Sequence, residues 1–121
     1  MDIVIEGTSD KPIYQQLYEQ ISAQIIKGEL EGDYSLPSIR TAAKELRVSI
    51  ITVKKAWETL ENQGFIYTVA GKGCFVSHLK KSQVLAMRDE LTDQEMSKHI
   101  QYYKALGLSQ EEVIDLIKKH Y

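Results

Sequence analysis

Cysteine is almost absent from this sequence. Cys74 stands alone, so no internal disulfide can form and no cysteine partner exists for a structural zinc site. Long apolar runs are missing too. None approaches the roughly 20 residues that a bilayer-spanning helix needs, so no membrane association is expected. Residues 1–6 lack a basic start followed by a long apolar stretch, so no secretory signal is expected there and the cytoplasm is the expected compartment. Positive charge is also short. The net charge is -2, and residues 1–78 hold 8 Lys/Arg against 10 Asp/Glu. The whole-domain basic excess first sought in a DNA-binding protein is therefore missing. Nucleophile elbow, phosphate loop and His-Glu zinc helix are all absent. Gly71-Lys72-Gly73 lies between two strand candidates and not ahead of a helix, so it is no phosphate cradle. His78, His99 and His120 lack ligand spacing. Neither an enzyme, a metal site nor a cofactor is expected.

What is there is an uneven distribution of charge. Between Ser38 and Trp57 the cations are Arg40, Lys44, Arg47, Lys54 and Lys55, and the only anion is Glu45. The acids gather elsewhere, at Glu29, Glu31 and Asp33 and at Glu58 and Glu61. One basic face on an acidic body is implied. The 121 residues suffice for one compact domain and a modest extension.

Hydrophobic spacing sets out the elements. Residues 1–9 read as a short extended arm. Pro12 suits a helix start, and Ile13, Tyr14, Leu17, Tyr18, Ile21 and Ile25 make one apolar face that Gly28 ends. Residues 29–36 read as a polar loop. A second helix is predicted over 37–46, with Ser35 as its cap and Ala42, Ala43 and Leu46 inward. After Arg47-Val48 comes Ser49 as the cap of a third helix over 50–63, buried through Val53, Ala56, Trp57 and Leu60 and closed by Gly64. Residues 65–69 and 74–77 pair as a hairpin around Gly71. Residues 80–106 contain no Gly or Pro, but Val84, Met87 and Leu91 face one way and Met96, Ile100 and Tyr103 another. Either this helix is gripped on two faces or it breaks near Thr92, where Thr92-Asp93-Gln94-Glu95 has capping-box form. Ser109-Gln110-Glu111-Glu112 starts a last short helix.

The expected fold is mainly α with a small β-hairpin: an N-terminal winged helix-turn-helix over residues 1–78, then a short C-terminal helical dimerisation segment over 79–121. The three-residue link Arg47-Val48-Ser49 sets two helices at a steep angle, and the second is sized for a DNA major groove.

The residues carry a family resemblance. Leu36-Pro37-Ser38-Ile39-Arg40, Ala42-Ala43, Leu46-Arg47-Val48-Ser49, Thr52-Val53, Ala56, Leu60-Glu61, Gly64-Phe65-Ile66 and residues 71–76 resemble the DNA-binding domain of GntR-family bacterial regulators. So do the Pro12-Ile13-Tyr14-Gln15-Gln16 opening and the helix end at 26–30. Length and the segment 105–109 resemble the YtrA subfamily, whose members end in a short helical dimerisation segment and whose genes often lie beside ABC-transporter genes. The resemblance implies a repressor that binds a double-stranded operator as a homodimer and leaves room for a small-molecule effector. It implies DNA contacts from Arg40, from Ser49, Thr52 and Lys54 on the recognition helix, and from Gly71 and Lys72 at the wing tip. Ser38 and Lys55 complete the candidate set. Ile50 and Ile51 stand where many relatives carry basic or polar residues, and an apolar side chain there suits a thymine methyl.

Plainer roles compete. Lys44 and Arg47 serve backbone contact or surface; Trp57 shares a stripe with Val53 and Leu60 and reads as core, and Cys74 as buried. Tyr102 and Tyr103 suit an interface or small pocket. Val84, Met87, Leu91, Met96, Ile100 and Tyr103 are the expected dimer contacts. A winged helix devoted to protein contact is the alternative class, which the basic patch disfavours.

Overall fold

The computed structural model describes residues 1–121. Helix α1 (Ile13–Ile26) begins at Pro12, whose carbonyl accepts from the Gln15 and Gln16 amides at 3.1 Å each. It buries Leu17, Ile21 and Ile25, the face that the spacing indicates. Along the flank of that face, about 100° round the helix, lies the N-terminal arm. Gln20 accepts from the Val4 amide at 2.9 Å and donates to the Val4 carbonyl at 2.7 Å. Gln16 holds Glu6 in the same two ways, at 2.8 and 3.0 Å. Gln24 donates to the Asp2 carbonyl at 2.6 Å. Four helical residues rise about 6.0 Å and two extended residues span about 6.6 Å, so alternate arm residues meet every fourth helix residue.

Helix α2 (Ile39–Leu46) is capped by Ser38 and not by Ser35: the Ser38 hydroxyl accepts from the Thr41 amide at 3.1 Å. The helix therefore starts two residues later than the sequence pattern indicates. Ser35 is occupied elsewhere. It bridges Phe75, while the Leu36 amide donates to the Cys74 carbonyl at 2.9 Å and the Val76 amide to the Tyr34 carbonyl at 2.9 Å. The segment expected to be a plain loop thus lays a short third edge on the hairpin.

Arg47 turns the chain in the left-handed region, φ 57°, and the Val48 amide reaches back to the Ala43 carbonyl at 3.0 Å. Helix α3 (Ile50–Asn62) follows at once, capped by Ser49 through the Thr52 amide at 3.1 Å. Its stripe Val53, Ala56, Trp57 and Leu60 is buried. Gly64, at φ 84°, releases the chain so that the Phe65 amide closes on the Leu60 carbonyl at 2.9 Å. Strands β1 (Ile66–Val69) and β2 (Gly73–Val76) pair antiparallel, from Ile66 opposite Val76 to Val69 opposite Gly73. Leu17, Ile21, Val53, Leu60, Phe65 and Val76 fill the centre of this unit, which spans residues 1–80. Truncating one of these to Ala would cost about 2–5 kcal/mol.

The second unit spans residues 81–121. Helix α4 (Lys81–Ala105) runs without interruption for 25 residues. Of the two alternatives at Thr92 the helix takes the unbroken one: the Thr92 hydroxyl donates back to the Arg88 and Asp89 carbonyls, at 3.0 and 3.1 Å, instead of capping a new helix. Gly107, at φ 86°, ends the helix. Helix α5 (Gln110–His120) opens on a complete capping box, Glu112 amide to Ser109 hydroxyl at 3.2 Å and Ser109 amide to Glu112 carboxylate at 3.0 Å. The Ser109 backbone N–H first, and the Ser109 side chain second, hold the Glu112 carboxyl below its ordinary pKa. Glu111 and Glu112 in the first turn and Lys118, Lys119 and His120 in the last complement the helix dipole. In this unit α4 buries no residue, and Val113 of α5 is buried.

Candidate nucleic-acid interface

Two helix starts repeat one device. Ser38 bonds the Thr41 hydroxyl at 2.8 Å beside its cap bond, and Ser49 bonds the Thr52 hydroxyl at 2.7 Å. Each pair fixes a first turn and leaves its neighbours pointing outward. In α2 the outward neighbour is Arg40, exposed and without an ion-pair or hydrogen-bond partner. In α3 the outward residues are Ile50, Ile51 and Lys54, while Thr52 is half-buried. Lys54 makes only a loose contact with Glu58, at 4.0 Å in high solvent exposure, and so remains available.

Lys55 is placed differently. Its ammonium sits 3.9 Å over the Tyr14 ring of α1, a cation–π contact of about 0.5–1 kcal/mol at an exposed site. A DNA contact by Lys55 would have to replace that one. At the hairpin tip, Gly71 takes φ 77° and the Lys72 amide donates to the Val69 carbonyl at 2.9 Å, so the turn is closed and the Lys72 side chain projects unpaired. Trp57 is core, and its indole N–H points to the Pro37 carbonyl at 3.4 Å. Cys74 is only half-buried, with its sulfur 3.4 Å from the Thr68 hydroxyl, which itself donates to Glu61.

One polar cluster escaped sequence reading. Asp33, in the left-handed region at φ 68°, accepts from the Tyr67 hydroxyl at 2.7 Å and pairs with His78 at 2.6 Å. The Tyr67 hydrogen bond first, and the His78 contact second, hold the Asp33 carboxyl below its ordinary value. The same hydrogen bond pushes the Tyr67 phenol up. The cluster lashes the loop before α2 to the root of the hairpin. Its partners lie 34 and 45 residues apart in sequence, beyond the reach of any local pattern.

Within the second unit, Val84, Met87, Leu91, Ile100 and Tyr103 are half-buried and Met96 is exposed. Tyr103 stacks with His99 and leans on Tyr102.

The family description "Bacterial regulatory proteins, gntR family" matches residues 13–76, the stretch from α1 to the end of the hairpin. The chain belongs to the GntR family. This is a family of transcription regulators and not of enzymes. The chain is 43% identical over 81 residues to the transcriptional repressor NagR of Bacillus subtilis, covering 67% of this chain and 33% of NagR. It thus spans a third of NagR's length. Against two shorter B. subtilis relatives the alignment runs nearly end to end. The uncharacterised HTH-type regulator YhcF is 33% identical over 91% of this chain and 90% of its own. The repressor YtrA is 28% identical over 97% and 90%. Among solved structures, a YtrA of Sulfolobus acidocaldarius superposes with a TM-score of 0.63 at 35% identity, covering 88% of this chain and 98% of that one. The DNA-binding domain of AraR, solved with operator ORX1, superposes with a TM-score of 0.55 at 31% identity over 64% and 96%. This GntR regulator is of the YtrA type, a winged helix followed by helices alone, and no helix in it is long and apolar enough to cross a membrane.

Proposed function

We propose that this regulator is a repressor that binds a pseudo-palindromic operator as a homodimer. The first turn of α3 enters the major groove and the hairpin tip borders the minor groove. The observation that carries the reading is the set of outward, uncommitted side chains at Arg40, Lys54 and Lys72 around a recognition helix whose inner stripe is fully packed. Arg40 and Lys72 serve phosphates; Ser38 and Ser49 bring their helix starts to the backbone; Lys54, Ile50, Ile51 and Thr52 face base edges, and Gly71 lets the wing approach. The AraR domain, of like fold, was solved on operator DNA, which supports this docking.

One recognition helix covers one half-site, so two copies are needed for a palindrome. Residues 81–121 supply the pairing surface through Val84, Met87, Leu91, Met96, Ile100 and Tyr103, none of which is fully buried within the chain. Similarity to YtrA makes ABC-transporter genes the expected targets, and the cytoplasm the site of action. The test is a gel-shift titration of the full chain on the promoter of its own gene. Saturable binding that survives excess competitor DNA is the expected result. Binding no tighter than to random DNA overturns it.

A further inference from the structure

Ile50 and Ile51 open the recognition helix, yet Ile50 is 44% exposed and Ile51 79% exposed. The helix geometry explains Ile51. It precedes the buried Val53 by two residues and so lies about 160° around the axis, opposite the core. Between Ser38 and Trp57 these two are the exposed large apolar residues. Ser49, Thr52 and Lys54 border it, and the stretch from Ser38 to Trp57 carries five cations and one anion. A protein partner would want a broader apolar patch, whereas a polyanion with a small apolar feature fits this surround.

Isoleucine has no donor or acceptor, so it can bond neither a phosphate nor the polar edge of a base. The apolar group that the four bases offer in the major groove is the thymine C5-methyl. The neighbouring Ser49 and Thr52 hydroxyls are bonded to each other, which holds both close to the helix start. A β-branched side chain on a helix also holds one χ1 rotamer, so Ile51 presents its methyls with little freedom to lose.

We propose that Ile51, with Ile50 beside it, reads thymine methyls, and that each operator half-site carries a T·A pair opposite the first turn of α3. This rests on the operator-binding reading and adds the base that the helix start selects.

The experiment uses the full chain and its own promoter fragment. Each thymine of the protected half-sites is replaced in turn by deoxyuridine, which removes the methyl and keeps the base pair. Loss of about fourfold in affinity is expected at one or two positions in each half-site, the size of one methyl leaving an apolar contact. The same series is run with Ile51→Ala, an exposed substitution whose fold is checked by circular dichroism. That variant binds more weakly and is indifferent to deoxyuridine at the same positions. A flat deoxyuridine series on a fragment that binds well overturns the thymine contact and leaves the operator reading standing. Sensitivity that persists in Ile51→Ala assigns the methyl to another residue and also overturns it. Failure to bind any promoter fragment overturns both.

Discussion

The Gln20 side-chain amide forms both backbone hydrogen bonds of Val4, accepting from its N–H at 2.9 Å and donating to its carbonyl at 2.7 Å. A side chain here takes the place that a neighbouring strand would fill. With Gln16 and Gln24 on the same face, α1 supplies an edge for an arm that has no sheet to join.

Gln20→Ala should free the arm while the winged helix stays folded. Two net hydrogen bonds at about 0.5–1.5 kcal/mol each set the upper scale, and exposure lowers it. Amide exchange reads the outcome directly: Val4 should lose protection in the variant, and the α3 core amides should not. Gln16→Leu should cost more, because Gln16 is buried and bonds both Glu6 and Lys11.

The Asp33 cluster makes stability pH-dependent at both ends. The folded carboxyl lies below its ordinary 3.8, so its contribution is present above that value and fades as pH falls through the lower folded one. Tyr67 runs the other way. Its folded value lies above the ordinary 10.0, so the contribution is present below that value and fades as pH rises through the higher one. Asp33→Asn is the matched variant, since Asn also tolerates the left-handed backbone. Urea midpoints should show a deficit against the parent at neutral pH that closes in acid. A deficit that is constant with pH would remove the carboxylate from the account.

Arg40→Ala and Lys72→Glu should weaken operator binding without loss of fold, for both side chains are exposed and unpaired. If each touches a phosphate, affinity falls on every sequence alike, and the slope of log K against log salt drops by about one unit per lost contact. Gel shifts at several salt concentrations decide it. An unchanged slope for Lys72→Glu would take the wing out of the interface.

Truncation after Lys80, where the first unit ends, should leave a folded monomer with much weaker operator affinity, because the second half-site is no longer tethered. Light scattering of both forms is the check. A monomeric full-length chain at micromolar concentration, or a truncated form that still dimerises, refutes pairing through α4 and α5.

Legibility in the sequence followed the range of the interactions. The stripes of α1 and α3, the Ser49 cap, the Gly64 stop and the Ser109 capping box are contacts between residues a few positions apart, and their spacing revealed them. Thr92 was ambiguous even locally, because one hydroxyl can cap a new helix or bond back to the old one, and no Gly or Pro forced the choice. Ser35 is the cap that the sequence pattern indicates, but the hairpin claims it and Ser38 caps the helix instead. The Asp33 cluster joins residues 34 and 45 positions apart, which no local spacing announces. For the candidate interface, the family resemblance named Arg40, Lys54 and Lys72, but the Tyr14 ring that engages Lys55 belongs to another helix.

The arm carries a last consequence, for what kinds of genetic change it tolerates. On its side every rung is main chain, at residues 2, 4 and 6, so the side chains there can be exchanged without breaking a bond. Length is another matter. Deleting Ile5, which lies between two rungs, would put Val4 and Asp2 out of step with Gln20 and Gln24. The segment is indifferent to spelling and strict about counting, the reverse of the recognition helix it precedes.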